Sequence, residues 1–192
     1  NDTKDDSGKG NDAAATGNVL FDRENGAVLP GGDKFTNYIS LPADRLKVSD
    51  QMTFSFWAYD NRGGKSNAFG IGSGEKLYAD REGTWAHHFS IFTEAKFSAK
   101  VGEQGWNGTY LKGVGNIDFA AQEWHLITCV LNGKKLQVYI DKELVGTEEV
   151  NVPLTTLWDA DPETRYAYIG NCVYGVNGDK DYKGNIKDFR IY

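Results

Sequence analysis

The 192-residue chain is poor in several residue types at once: 4 Pro, 2 Cys, 1 Met and 3 His. So little proline beside 23 Gly excludes collagen-like and proline-rich extended chains. The two cysteines, Cys129 and Cys172, permit one disulfide at most. Neither falls in a CxxC or metal-type spacing, which argues against zinc ribbons and disulfide-framed miniproteins. Each sits in or beside an apparent strand, LITCVL or YIGNCVYG, so two buried free thiols are expected. A bridge stays open only if those strands are neighbours. The histidines form no ligand set: His87 and His88 are adjacent on an expected strand and point to opposite faces, while His125 follows Trp124 in another.

Long apolar runs are missing as well. The longest, LITCVL, is interrupted by a threonine and is shorter than a bilayer span or a signal-peptide core. Basic residues are outnumbered, with 21 Lys and Arg against 27 Asp and Glu and a net charge of −6. That balance gives no electrostatic basis for nucleic-acid binding, which needs clustered Lys and Arg. The sequence opens on Asn1 rather than an initiator Met, as expected of a processed chain or a piece of a longer one.

What is present is 40% hydrophobic residues, with 13% aromatic, the balance of a folded, turn-rich protein whose length suits one domain. Residues 1–17, NDTKDDSGKGNDAAATG, are polar and small without periodicity and are expected to be an irregular lead-in to a domain over 18–192. Strands then follow at short intervals: NVLF (18–21), NYISL (37–41), MTFSFWAYD (52–60), KLYA (76–79), HHFSIFT (87–93) and KFSAKV (96–101). MTFSFWAYD has rings on both faces, which predicts a mid-sheet strand covered on both sides. In WHLITCVLNGKKLQVYIDKELVG, Asn132-Gly133 predicts a type I′ hairpin and Asp141-Lys142-Glu143 a second tight turn, giving a three-stranded meander. YAYIG (166–170) and NIKDFRIY close the series, and VPLTTLWDA allows only a short helical turn. Strands at this density without helical patterns predict an all-β, two-sheet antiparallel sandwich.

The terminal GNIKDFRIY is out of phase: Ile186 lies three positions before Phe189, whereas Phe189 and Ile191 alternate. An extra residue near Lys187 and Asp188 would restore the phase, with Phe189 and Ile191 facing the core.

SDQMTFSFWAY, EWHLITCVLNGKKLQVYIDKELVG, YIGN and GNIKDFRIY, in that order, resemble the laminin G-like domains of the concanavalin A-like lectin and glucanase superfamily. DDSGKGND is similar to the "D-SG-GN" element that often opens bacterial members. The resemblance implies a jelly-roll sandwich in a secreted, cell-surface or periplasmic bacterial protein that handles polysaccharides, often as one module of a larger chain. It also implies a calcium ion held by a carboxylate on the final strand together with carbonyls from early loops, and Asp188 fits the first role. Members usually have a strand before "D-SG-GN", and here only Asn1 to Lys4 precede it, so the last strand is left to pair with NVLF or with nothing.

Some relatives are glucanases, whose paired carboxylates share one strand face. The nearest approaches here, Asp141/Glu143 and Asp159/Asp161/Glu163, fall in a turn and in a proline-containing loop, so a non-catalytic module is favoured over a glycoside hydrolase. A structural or protein-docking module is the third reading. For an oligosaccharide partner, rings at loop edges are the expected platforms, since sugar C–H faces stack on Trp and Tyr while hydroxyls need amide and carboxylate partners. Trp85, Trp106 with Asn107 and Tyr110, Trp158 and Tyr174 occupy such positions. Trp57 and Trp124 belong to strands and are expected to pack there.

Overall fold

The computed structural model describes residues 2–61, 66–74, 86–93, 96–104, 109–173 and 179–192. Among these, fourteen strands form two antiparallel seven-stranded sheets stacked face to face, the jelly-roll sandwich.

The first sheet has spatial order β1 (Ala14–Thr16), β4 (Tyr38–Ser40), β13 (Arg165–Ile169), β6 (Ser66–Ser73), β7 (His87–Thr93), β8 (Lys96–Gly102) and β9 (Leu111–Asp118). The second has order β12 (Glu143–Glu149), β11 (Lys135–Ile140), β10 (Trp124–Asn132), β5 (Gln51–Asp60), β14 (Lys183–Ile191), β3 (Gly26–Pro30) and β2 (Leu20–Asp22). The inward faces interdigitate as a phenylalanine-rich core: Phe54 and Phe56 from β5 meet Phe69, Phe89 and Phe97 from the first sheet. A short helix, α1 (Leu154–Asp159), lies against β6 and β7 and buries Leu154, Leu157 and Trp158.

Several expectations change in detail. Ala14–Thr16, inside the stretch expected to be irregular, is a strand because it pairs with Tyr38–Ser40. Gly26–Pro30, Ser66–Ser73 and Leu111–Asp118 are further strands that the sequence did not announce, being glycine-punctuated and weakly alternating. KLYA, and Glu94-Ala95, expected as the two-residue turn between HHFSIFT and KFSAKV, lie outside the described residues. β5 is mid-sheet, between β10 and β14, but its outer face is half-exposed rather than covered by another layer. Trp57 and Tyr59 on that face are shielded by neighbouring side chains: Tyr59 packs on Trp124 with ring centroids 5.5 Å apart, and the Lys187 ammonium lies 4.0 Å from the Trp124 centroid.

The two hairpin turns exchange character. Asn132 is still in the strand ladder, opposite Lys135 and Gln51. The connecting residues are therefore Gly133-Lys134, and only Gly133 has positive φ (59°), the pattern of a II′ turn. Both central residues are left-handed instead at Asp141-Lys142 (52° and 74°), the I′ pattern. That turn is held by Asp141, whose carboxylate accepts from the Leu126 amide at 2.8 Å and meets His125 Nδ1 at 2.7 Å.

The terminal strand has the extra residue its phase demanded. Lys187 is opposite Trp57 and Arg190 opposite Ser55, so three steps on β14 match two on β5. Asp188 takes up the difference with φ at 51°. Phe189 then stacks on Phe56 with centroids 5.4 Å apart. β14 is no edge: it runs between β3 and β5, so its partners are GAVLP and MTFSFWAYD rather than NVLF, which becomes edge strand β2. Cys129 and Cys172 are both buried free thiols.

Candidate functional site

The outward face of the first sheet divides sharply along its width. β6 is buried at every residue and β7 at every residue except His87, so both faces of these strands are covered. β8 alternates along most of its length: Phe97, Ala99 and Val101 face the core, and the intervening Ser98 and Lys100 face outward; in β9 only Val114 is buried.

The cover over β6 and β7 is a second, smaller apolar cluster of Ala86, Phe92, Tyr166, Cys172 and Val173, flanked by Phe35 and Tyr168. It exists because the chain leaves β13 at Gly170, whose φ is 82°, and folds back so that Cys172 lies on Gly70. A Cβ added at Gly70 would stand 2.5 Å from the Cys172 Cβ, so only glycine admits this crossing. The Cys172 thiol is 3.2 Å from the Tyr166 hydroxyl, and Tyr166 stacks on Tyr168 with centroids 5.1 Å apart. Burial, followed by the adjoining Cys172 thiol, pushes the Tyr166 phenol well up.

The fold-back is anchored from below by Asp181. Its carboxylate accepts from the amides of Phe35 (2.9 Å), Thr36 (2.7 Å) and Asn37 (2.6 Å), from Thr36 Oγ1 (3.1 Å) and from Asn171 Nδ2 (2.7 Å). Burial pushes this carboxyl up, while the Asn37, Phe35 and Thr36 amides pull it down.

Beyond the cluster the face opens into a shelf over β8 and β9. Its floor has few side chains: Gly113 is opposite Lys100, and Gly115 has the Lys100 Nζ 3.1 Å and the Ser98 Cβ 3.4 Å from where its own Cβ would be. His88 and Ser90, linked at 3.1 Å, lie beneath the boundary with the cluster. They pair with Gly102 and Lys100 across β7 and β8. Tyr110, 37% exposed, stands where β9 begins, next to Leu111, the partner of Gly102. The shelf thus combines a glycine floor, the Lys100 ammonium and the Ser98 hydroxyl.

Trp85, Trp106, Asn107 and Tyr174 fall outside the described residues, but the residues that adjoin them are informative. Ala86 and Val173, next to Trp85 and Tyr174, belong to the same outer cluster. Trp106 and Asn107 belong to the connection between β8 and β9, whose ends are joined by the Glu103 amide donating to the Tyr110 carbonyl at 3.4 Å. Tyr110 is exposed at the start of β9, where Leu111 and Gly113, opposite Gly102 and Lys100, are the β9 residues on the shelf face. Trp158 is placed elsewhere: it is 5% exposed, belongs to the main core, and lies under the Arg165 guanidinium at 5.4 Å. The residues missed by sequence reasoning, Ser90, Lys100, Gly113 and Gly115, gave no local signal, because their proximity depends on strand register.

Asp188 is exposed on its bulge. Among the described residues no group of three or more His, Cys, Asp or Glu is placed to hold a metal, and the Glu24 carbonyl in the β2–β3 turn is taken by the Lys187 ammonium at 3.1 Å. Two of the carboxylates weighed for hydrolysis have structural partners: Asp141 holds the His125 ring and the Leu126 amide, and Asp159 is ion-paired with Arg165.

The fold has well-populated company among solved structures. Domain 4 of AbnA, an extracellular GH43 arabinanase from Geobacillus stearothermophilus, in complex with arabinotriose, superposes with a TM-score of 0.70 at 19% identity, covering 100% of this chain and 86% of that one. Mouse laminin α1 chain domains LG4-5 give 0.58 at 13% identity, over 85% of this chain and 40% of that one. The CBM40 of the Ruminococcus gnavus IT-sialidase bound to α2,3-sialyllactose gives 0.55 at 12%, over 74% and 75%. No curated protein sequence matches the chain. Residues 31–192 match the laminin G-like family model described as the concanavalin A-like lectin/glucanases superfamily, and the chain belongs to that family.

Proposed function

We propose that the protein is a non-catalytic carbohydrate-binding module of a secreted or cell-surface protein, and that the glycan lies on the shelf over β8 and β9. The observation that carries this reading is the contrast along the first sheet. β6 and β7 are covered on their outer face, whereas the outward row Ser98, Lys100, Gly113 and Gly115 of β8 and β9 is only half-buried and floored by glycine, and the exposed Tyr110 adjoins the start of β9. A shallow, preformed surface with one ring and several polar groups suits sugar recognition, in which C–H faces stack and hydroxyls exchange water for fixed partners.

Support also comes from the company the fold keeps, since domain 4 of the arabinanase and the sialidase CBM40 are described with bound oligosaccharides. Trp106 and Asn107 belong by sequence to the connection between β8 and β9, the strands of the shelf. Retention on a glycan array that includes arabinotriose and 3′-sialyllactose tests the reading. Wild-type protein should be retained by at least one glycan, and Tyr110→Ala and Trp106→Ala should each lose that retention while melting like the wild type. Retention unchanged in both variants would move the site away from the shelf.

A further inference from the structure

Lys100 stands out among the lysines of the described residues. The other half-buried ones are each occupied: Lys34 lies over the Phe35 ring at 5.7 Å, Lys180 is 2.6 Å from the Asp33 carboxylate, and Lys187 is shared between the Trp124 ring and the Glu24 carbonyl. Lys100 is equally half-buried and has no hydrogen bond, ion pair or ring contact of this kind. A lysine lays its apolar stem along the sheet while its charged head reaches water, so an ammonium with no protein partner is available to an anionic ligand group. Here its position is central: β8 lies between β7 and β9, Ser90 is its partner on one side and Gly113 on the other, and its Nζ rests beside Gly115. Gly113 and Gly115 add no side chains of their own around the ammonium.

We propose that Lys100 is the specificity determinant of the shelf and that the glycan it selects bears a carboxylate, as a sialic acid or a uronic acid does. This rests on the proposed function, because it assigns the ligand class of that same shelf. The carboxylate pairs with the Lys100 ammonium in a charge-assisted hydrogen bond, while the rest of the sugar ring lies over Gly113 and Gly115 toward Tyr110. A neutral glycan of the same shape would leave the ammonium as it stands now, and discrimination would come from that difference.

The test uses matched pairs: 3′-sialyllactose against lactose, and polygalacturonate against its fully methyl-esterified form, with wild type, Lys100→Gln and Lys100→Arg. The expected result is retention of at least one acidic member over its neutral partner, a loss of about tenfold or more in affinity for Lys100→Gln, as expected for a hydrogen bond to a charged group, and partial recovery in Lys100→Arg. All three proteins should melt alike, since Lys100 has no partner to lose. Equal binding of the acidic and neutral members, or an acidic preference unchanged in Lys100→Gln, overturns the assignment while leaving a glycan-binding shelf in place. Binding to none of the four probes overturns the carboxylate class as assigned here, and failure on the whole glycan array as well overturns the shelf reading itself.

Discussion

The Asp181 carboxylate lies 2.6 Å from the Asn37 amide, 144 residues earlier in the chain. This single side chain joins the loop after β3 to the segment that folds back over the outer face of the first sheet, through Asn171. Asp181→Ala would leave the amides of Phe35 and Asn37 and the Asn171 side chain without their acceptor. Stability in urea should fall by about 3 kcal/mol, the cost of several unsatisfied buried donors, and Asp181→Asn, which keeps one acceptor oxygen, should fall by less. Equal stability of Asp181→Ala and wild type would contradict the anchoring role.

Gly70 tests the same region from the other side. With the Cys172 Cβ 2.5 Å from the position of a new methyl, Gly70→Ala must displace the fold-back or the strand. A loss of about 1–3 kcal/mol, the usual cost of overpacking, is expected in denaturant melts.

The bulge makes a separate prediction. Asp188 holds φ at 51°, where glycine is unstrained and a β-branched residue is not. Asp188→Gly should melt within about 0.5 kcal/mol of wild type, whereas Asp188→Val should lose about 1–2 kcal/mol. Both comparisons should be made in calcium and in EDTA. A loss in Asp188→Gly that appears only in calcium would show that the carboxylate holds a cation and is more than the bulge residue.

His87 sets a pH dependence. Burial lowers its pKa, and the more distant Glu103 and Asp161 carboxylates only partly offset that. The unfolded chain therefore takes up the proton first as pH falls. The contribution of neutral His87 to stability is full above the unfolded pKa of about 6.5 and is lost as pH drops through that value toward the lower folded one. Between pH 7.5 and 5.5 His87→Gln should lose less stability than wild type in urea titrations, and parallel curves would rule out this linkage.

The phase break in GNIKDFRIY was legible because side chains alternate with period two and a bulge shifts that period by one; Asp188 is where the sequence said the extra residue must be. The strands Gly26–Pro30 and Ser66–Ser73 were not legible, since GAVLP and SNAFGIGS are glycine-broken and owe their strand state to partners on both sides. The hairpin at Asn132-Gly133 was located to within one residue but given the wrong turn type, because Asn132 is recruited into pairing with Gln51 and Lys135. Rings were visible as candidates for the shelf. Lys100 was not, because nothing in FSAKV says that glycines 113 and 115 will lie beside it.

The shelf itself is tested most directly at Gly115. Its backbone accepts a side chain without positive φ, and the nearest group a Cβ would meet is the movable end of Lys100, 3.1 Å away. Gly115→Leu should therefore fold and melt like wild type while filling the floor. Affinity electrophoresis in the glycan best retained by wild type is the measurement: Gly115→Leu should migrate as though no glycan were present. Retardation equal to that of wild type would contradict the placement of the binding surface over β8 and β9.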